Sequence, residues 1–221
     1  REQGVVVDAV SRGEILRALA AGYTAAQAPC GASGIVFTAD LFDAATLDCV
    51  VQHQVPVNAG SVDMLHQLGQ CSPGHRVWLR INPGFGHGHS NKTNTGGEHS
   101  KHGIWHADLP LALAAIARHG LQLVGLHMHI GSQIFDLEPF HAAVEVLVAL
   151  GEFRTLNLGG GLGVPYLHEQ SAPSVSDYVA RKVQLVRDLA GPDVRIADEP
   201  GRALVARSTV TLYTVQTVKH N

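Results

Sequence analysis

Three short motifs in this chain place polar or glycine residues directly after stretches of β-forming residues. The first is Gly159-Gly160-Gly161-Leu162-Gly163. Glycine has no Cβ, so the backbone N–H groups of such a loop can approach an anion, and a phosphate would fit there. A tight turn without a ligand is the alternative. The loop lacks both a Lys-Ser/Thr pair and the Gly-x-Gly-x-x-Gly spacing, which disfavours a nucleoside-triphosphate loop and a dinucleotide-binding fingerprint.

The second motif is His127-Met128-His129-Ile130-Gly131-Ser132. In a strand, His127 and His129 point to the same face. The two imidazoles could ligate a metal, or one could stack on a flat aromatic ligand while Ser132 hydrogen-bonds an anion. A hydrogen-bonded pair of histidines that lines the mouth of a barrel is the alternative.

The third motif is Asp198-Glu199-Pro200-Gly201-Arg202. Glu199 and Arg202 flank a Pro-Gly turn, so both side chains can reach one pocket. A carboxylate can pair with a cationic heteroatom, whereas a guanidinium binds a carboxylate or a phosphate through parallel hydrogen bonds. Without a ligand, the two side chains would form a surface ion pair at a turn.

Isolated charges and histidines offer weaker signals. Arg80 lies within an apolar strand pattern and needs a partner if it is buried. Lys101 ends the irregular segment 83–101, which is long enough to be functional or disordered, although a solvated loop charge is the alternative for this lysine. Five histidines in and near this segment have spacings that fit no zinc signature, so we expect no metal site: His87, His89, His99, His102 and His106.

The segments that must position these motifs alternate between β-branched runs and amphipathic helical patterns. Strands are predicted at 5–10, 35–38, 55–59, 77–82, 123–129, 155–158 and 194–197. Helices are predicted at 12–21, 44–53, 62–68, 109–118, 139–150 and 176–190. Strict alternation favours parallel strands that are joined by helical crossovers.

Seven such units fit either an incomplete eight-stranded α/β barrel or a doubly wound open sheet. We favour the barrel, because polar motifs follow several strands, whereas a doubly wound sheet gathers them at one switch point. Residues 1–4 resemble the end of a helix whose body is absent, and the β-rich residues 210–217 have no later strand to pair with. We therefore expect the chain to be a fragment that lacks one barrel unit before residue 1.

The composition excludes several classes of protein. The 221 residues are 45% apolar and 16% charged, which is typical of a globular domain. The 16 basic residues are outnumbered by 19 acidic ones, so we expect no large basic surface that would bind nucleic acid. No apolar run approaches the roughly 20 residues of a membrane-spanning helix, and no signal segment is recognisable. Cys30, Cys49 and Cys71 show no paired spacing, which indicates reduced thiols. We expect a cytoplasmic protein without membrane or nucleic-acid partners.

Taken together, in this order and on a barrel-like pattern, the three motifs resemble those of the fold-type III pyridoxal-phosphate-dependent decarboxylases. Segments 80–90, 95–104 and 125–132 also carry the resemblance, which extends over essentially the whole chain. It implies an alanine-racemase-like (β/α)8 barrel, with about seven units present, and pyridoxal 5'-phosphate as the cofactor. The most similar branch decarboxylates the amino acid meso-2,6-diaminopimelate to L-lysine and CO2.

The resemblance also implies a role for each matching residue. His129 would stack on the pyridine ring, and Glu199 would pair with the protonated ring nitrogen and keep the cofactor a strong electron acceptor. Ser132 and the glycine backbone would hold the phosphate, and Arg202 would lie beside the cofactor and bind a substrate carboxylate. The implied cofactor-binding residues are His129, Ser132, Gly160, Gly161, Glu199, Pro200, Gly201 and Arg202.

Two features of the family have no counterpart in this chain. The family attaches its cofactor through a Lys on the first barrel strand, but Lys92, Lys101, Lys182 and Lys219 all lie elsewhere. A Cys-containing acid/base motif would come from a C-terminal β-domain, which we expect to begin at residues 203–221, after a barrel of residues 1–202. That motif reaches the site of a neighbouring subunit, so we expect a homodimer at full length. The chain alone should lack catalytic residues and turnover.

Two other functions stay open. The first is a decarboxylase for ornithine, arginine or carboxynorspermidine, which would differ at the distal end of its substrate pocket. Acidic residues there would favour a substrate with a distal amine. Arg202 and residues 100–103 instead favour a substrate with a distal carboxylate. A non-catalytic paralogue that regulates a decarboxylase subunit would also lack the lysine. Its cofactor-site residues should have changed, however, whereas all of those named above are present.

Overall fold

Eight parallel strands form one sheet in the computed structural model, which describes residues 4–26, 33–87 and 95–219. The strands are β1 (Val7–Ala9), β2 (Ile35–Ala39), β3 (Val57–Ala59), β4 (Arg76–Asn82), β5 (Ile104–Trp105), β6 (Gln122–Met128), β7 (Thr155–Asn157) and β8 (Arg195–Ala197). All seven predicted strands are confirmed, and the two-residue β5 is an addition that pairs only with the end of β4.

Helices follow the strands as predicted. They are α1 (Arg12–Ala20), α2 (Ala44–His53), α3 (Val62–Cys71), α4 (Leu109–His119), α5 (Glu138–Ala149), α6 (Val175–Ala190) and a short α7 (Gly201–Val205) that the sequence patterns did not predict. Four of them begin at a side chain that accepts a backbone N–H from the first turn: Ser11, Asp43, Ser61 and Ser174. These caps satisfy N–H groups that a helix start leaves unpaired, so the helices begin where the sequence places a Ser or Asp.

The order of the strands identifies the architecture. Neighbouring strands in the sheet are β1-β2-β3-β4-β6-β7-β8, so the sheet follows chain order without a reversal. A doubly wound sheet reverses its order at a switch point, which this one does not do. The prediction of an incomplete (β/α)8-type barrel is therefore confirmed. Within the described residues, β1 pairs only with β2 and β8 only with β7, so the barrel is open between β8 and β1.

The apolar core lies between the sheet and the helices. Phe37 of β2, Leu65 and Leu68 of α3, Phe140 of α5 and Tyr178 of α6 are all fully buried. Burying a side chain of this size contributes about 1.5–3 kcal/mol relative to leaving it exposed, so this layer helps to hold α3, α5 and α6 on the sheet.

Buried polar residues concentrate on the strands. Asn58, Arg80, His127 and Asn157 are each at most 8% exposed. Because an unpaired buried polar group is costly, each of these side chains requires a partner within the sheet's interior. A cavity of about 1030 Å³ lies at the opposite, amino-terminal ends of β4, β6, β7 and β8.

The end of the chain is mostly irregular. After α7 and one 3-10 turn (Ala206–Ser208), residues 209–219 form neither helix nor strand and are exposed. The β-rich run at 210–217 therefore does not become a strand here, since no neighbouring strand pairs with it. The domain boundary between residues 202 and 203 stays a prediction, and α7 crosses it. None of the described helices combines the length and apolar character that crossing a bilayer would require.

Candidate functional site

The three motifs meet at the carboxyl ends of β6, β7 and β8. The Gly160 N–H donates to His129 Nδ1 at 3.2 Å, and the Glu199 N–H donates to the Gly159 carbonyl at 3.0 Å. These contacts follow from the sheet, because adjacent parallel strands deliver their carboxyl ends to the same edge. The predicted convergence of the imidazole, the glycines and the acid is therefore confirmed.

Glu199 is held by one donor on each of its carboxylate oxygens. His127 Nε2 lies 3.2 Å from Oε2, and Asn157 Nδ2 donates to Oε1 at 2.6 Å. Desolvation alone would raise the pKa of Glu199, but the His127 imidazole and the Asn157 amide outweigh it and lower this pKa to about 2. Glu199 is thus a fixed negative charge at neutral pH.

His129 presents an uncharged imidazole beside that carboxylate. Its Nδ1 accepts the Gly160 N–H, so the hydrogen of the neutral ring lies on Nε2. Desolvation, followed by the positive groups of His127 and Arg80, lowers the pKa of His129 to about 4. The backbone is held as well, because Thr95 Oγ1 donates to the His129 carbonyl at 2.8 Å. The result is a flat, neutral ring in a fixed orientation.

Gly159 and Gly160 are glycines because of the protein's own backbone. Gly159 has φ +61°, and a Cβ there would lie 2.1 Å from the Met128 carbonyl oxygen. A Cβ on Gly160 would lie 1.9 Å from the Glu199 carbonyl oxygen. The strand ends could not approach this closely with any other residue type. Because the Gly160 N–H is already donated to His129, binding of an anion by that N–H stays a prediction.

Arg202 connects the third motif to the second. Its NH2 group donates to Ser132 Oγ at 3.0 Å, and its NH1 group donates to the Tyr166 hydroxyl at 2.8 Å. Gly201, which follows Pro200 at the start of α7, donates its N–H to the Glu199 carbonyl at 2.7 Å. The structure therefore brings Arg202 to Ser132, at the side of the site where the phosphate was predicted.

A buried ion pair supports the site from behind. Lys182 of α6 pairs with Asp198 and donates to the Tyr178 hydroxyl at 2.6 Å and to the Leu158 carbonyl at 3.0 Å. Its ammonium also lies 3.3 Å from the Gly159 carbonyl oxygen. Desolvation lowers the pKa of Lys182 and raises that of Asp198, so burial opposes both charges and their pairing compensates.

The other sequence candidates lie at the neighbouring strand ends. Arg80 has the partner that its burial requires, because its NH1 group lies 3.6 Å from Asp40 Oδ1. Asp40 also hydrogen-bonds His102 of the loop, whereas Lys101 is exposed. His89 and Lys92 lie outside the described residues. Within 4–26, 33–87 and 95–219, no cluster of three His, Cys, Asp or Glu side chains could hold a metal ion.

Asp8 of β1 is an acid that the motifs did not indicate. Desolvation of its carboxyl, and then repulsion from Glu199, raise the pKa of Asp8 to about 6. A hydrogen bond to Thr38 and the charges of His127 and Arg80 act in the opposite direction. The carboxylates of Asp8, in β1, and of Glu199, which follows β8, therefore repel each other.

The sequence reasoning missed several residues that shape the site. They are Asn157 and His127 as partners of Glu199, Tyr166 as a partner of Arg202, and the Lys182–Asp198 pair. Asn157 had a usable signal, because it is a polar residue at the last position of a strand that precedes the glycine loop. Lys182 gave none, since a lysine in an amphipathic helix normally faces solvent.

The chain is similar to known decarboxylases over nearly its whole length. The family described as "Pyridoxal-dependent decarboxylase, pyridoxal binding domain" matches residues 1–206. The diaminopimelate decarboxylase of Escherichia coli K12 is 56% identical over 227 residues, which cover 99% of this chain and 53% of that protein. This chain therefore spans about half the length of the curated relatives it matches.

Solved structures give the same result. A crystal structure of diaminopimelate decarboxylase matches with a TM-score of 0.81 and 55% identity, covering 94% of this chain and 50% of the other. The Helicobacter pylori diaminopimelate decarboxylase complexed with L-lysine matches with a TM-score of 0.81 at 28% identity, covering 94% and 53%. The fold and the arrangement of its strands are thus those of these enzymes.

Removing the Lys182 charge should destabilise the protein by leaving Asp198 buried without its partner. We expect Lys182→Met to lower the free energy of unfolding by about 3 kcal/mol, and the double variant K182M/D198L to recover most of that loss. Urea denaturation measures both. Lys101→Met, at an exposed position, is the matched control and should change stability by less than about 0.5 kcal/mol. A double variant as unstable as K182M would contradict the coupling.

The pH dependence of stability should change when Asp8 is neutralised. Because the pKa of folded His129 is depressed, its contribution makes the free energy of unfolding rise with pH between about 4 and 6.5. The pKa of folded Asp8 is raised, so the folded state binds more protons there than the unfolded state. The contribution of Asp8 to the free energy of unfolding therefore falls as the pH rises between 3.8 and about 6. Asp8→Asn should therefore give a steeper rise in stability from pH 4 to 6 than the wild type shows.

Urea unfolding at several pH values tests this expectation. Protein atoms around the Asp8 carboxyl partly desolvate it, but its side chain remains accessible to water, so screening limits the size of the effect. The slope of the free energy of unfolding against pH, rather than its absolute value, is therefore decisive. Asp48→Asn, on the exposed side of α2, is the control and should leave the slope unchanged. Parallel curves for Asp8→Asn and the wild type would show that Asp8 is not coupled to the site.

Proposed function

Because this chain belongs to the pyridoxal-dependent decarboxylases, over their pyridoxal-binding domain, we propose that it forms the cofactor-binding part of an enzyme that converts meso-2,6-diaminopimelate to L-lysine and CO2. The observation that carries the proposal is the pairing of a fixed carboxylate, Glu199, with a neutral imidazole, His129, beside the Ser132–Arg202 pair. Pyridoxal 5'-phosphate has a basic ring nitrogen, a flat ring and a phosphate, and these three groups match it.

The residues of the site fit this cofactor by their chemistry. Glu199, with its pKa lowered to about 2, suits a protonated pyridine nitrogen. His129 offers a ring face without a charge, and Arg202 and Ser132 offer a cation and a hydroxyl for the phosphate. When bound, the cofactor supplies the electron-accepting ring that stabilises the carbanion left by loss of CO2.

The chain's own residues then have separate tasks. His127 and Asn157 fix both oxygens of Glu199, so the carboxylate keeps its charge and its direction. The Gly160 N–H fixes the His129 ring through Nδ1, which leaves the ring face free for stacking. Arg202 lies against Ser132, which supports a phosphate role; its binding of a substrate carboxylate stays a proposal.

Among the lysines that the structure describes, none occupies the place of the family's reactive lysine at this site. Lys182 is buried behind the glycine loop in its ion pair, and Lys101 and Lys219 are exposed. We therefore propose that the cofactor-attaching lysine and the Cys-containing acid/base motif are supplied by sequence outside these 221 residues. The cytoplasmic location and the homodimeric state belong to the same proposal.

The choice of substrate rests on the similarity to the diaminopimelate enzymes. Relatives at 56% and 52% identity carry that activity in their names, and one structural relative is complexed with L-lysine. A cationic side chain such as Arg202 is compatible with an amino acid that carries a second carboxylate, and less so with ornithine or arginine.

The 221-residue chain alone should release no CO2 from meso-2,6-diaminopimelate above background, because we place the cofactor-attaching lysine in sequence outside it. The longer protein that contains this segment should release CO2 and L-lysine stoichiometrically, and should prefer this substrate over ornithine and arginine by at least about a hundredfold in kcat/KM. Radiolabelled CO2 release measures both. Turnover by the isolated chain would refute the assignment of the lysine, and a preference for ornithine would refute the substrate.

A further inference from the structure

We propose that Tyr166 is a further ligand of the phosphate monoester that Ser132 and Arg202 bind, and that it donates its hydroxyl hydrogen to that anion. This inference rests on the proposed function. Tyr166 lies outside the three motifs, in the segment that follows the glycine loop. Its hydroxyl accepts a hydrogen bond from Arg202 NH1 at 2.8 Å, while Arg202 NH2 donates to Ser132 Oγ at 3.0 Å.

The direction of these hydrogen bonds determines what the hydroxyls can do. A guanidinium only donates, so both hydroxyl oxygens act as acceptors toward Arg202. Each hydroxyl therefore keeps its own hydrogen for another acceptor. One cation flanked by two O–H donors is a suitable set for an anion with several oxygens, because hydrogen bonds to a charged acceptor are stronger than those to a neutral one.

The backbone around Tyr166 is fixed by contacts to the Ser132 loop. Gln133, at φ +62°, donates from Nε2 to the Val164 carbonyl at 2.7 Å and accepts the Val164 N–H at Oε1 at 3.0 Å. Ile134 and Leu162 form a parallel bridge between the same two segments. Ser132 and Tyr166 therefore belong to two loops that are joined to each other as well as to Arg202.

Tyr166 itself is held on its other side by Gln170. The Oε1 atom of Gln170 accepts the N–H groups of Tyr166 at 2.9 Å and of Leu167 at 3.2 Å. The Arg202 guanidinium also lies 6.0 Å from the centre of the Tyr166 ring. Yet Tyr166 is 58% exposed, so its ring contributes little to the core. An exposed phenol whose backbone and hydroxyl are both hydrogen-bonded, the hydroxyl to a cation, is arranged for a ligand rather than for packing.

A pair of ligands that differ only in the phosphate isolates this contact. Pyridoxine 5'-phosphate and pyridoxine contain no aldehyde, so lysine side chains cannot bind either one covalently. The dissociation constants of both are measured on the 221-residue chain by isothermal titration calorimetry. Tyr166→Phe should weaken binding of pyridoxine 5'-phosphate about tenfold and leave binding of pyridoxine unchanged. Tyr213→Phe, at an exposed position in residues 209–219, is the control and should change neither constant.

Repeating the Tyr166→Phe substitution in a chain that lacks the Arg202 guanidinium separates a direct contact with the phosphate from an effect through Arg202. If Tyr166 binds the phosphate directly, Tyr166→Phe should still weaken pyridoxine 5'-phosphate binding in the Arg202→Met variant. No further loss in that background would overturn the inference, because Tyr166 would then only orient the guanidinium. Equal thermal melting of Tyr166→Phe and the wild type is expected, since the removed hydroxyl is at the surface.

The outcomes also separate this inference from the proposed function. If the wild type prefers pyridoxine 5'-phosphate and Tyr166→Phe keeps the full preference, the role of Tyr166 is refuted and the cofactor assignment stands. If the wild type binds the two ligands equally, both the cofactor assignment and the role of Tyr166 are refuted.

Discussion

The peptide group between Gly159 and Gly160 is the constraint on which the site depends. Its carbonyl accepts the Glu199 N–H at 3.0 Å and lies 3.3 Å from the Lys182 ammonium, while its N–H reaches His129 at 3.2 Å. One peptide thus joins the ends of three strands and the helix behind them. Because a Cβ at either glycine would overlap a neighbouring backbone carbonyl, no other residue type could replace them without moving a strand end.

The groups around this peptide are a negative charge, an uncharged ring and a positive charge. Glu199 stays ionised because His127 and Asn157 compensate its desolvation. His129 stays neutral because its desolvation, together with the effects of His127 and Arg80, outweighs the opposite effect of Glu199 on its pKa. Arg202 supplies the positive end. A carboxylate, an uncharged ring and a guanidinium complement a ligand with a cationic nitrogen, a flat ring and an anionic tail, and this match is the basis of the proposed cofactor site.

Most of the fold could be predicted from the sequence, because hydrophobic periodicity and capping residues act locally. The strands and α1 to α6 were found for this reason, and the convergence of the motifs followed from the common edge of parallel strands. Partnerships between distant residues could not be predicted. Lys182 of α6 and Asp198, which follows β8, are 16 residues apart in the sequence and meet only in the fold. Tyr166, in the segment after the glycine loop, likewise meets Arg202 of α7 only through the tertiary structure. The β-rich run at 210–217 forms no strand, as expected for a run that has no later strand to pair with.

The central claim is that three strand ends form one site for a phosphorylated pyridine ring. A crystal structure of the chain soaked with pyridoxine 5'-phosphate tests it most directly. The ring nitrogen should contact Glu199, the ring face should lie on His129, and the phosphate should lie beside Ser132 and Arg202. Binding in the cavity at the opposite ends of the strands, or with the phosphate toward Glu199, would contradict the account.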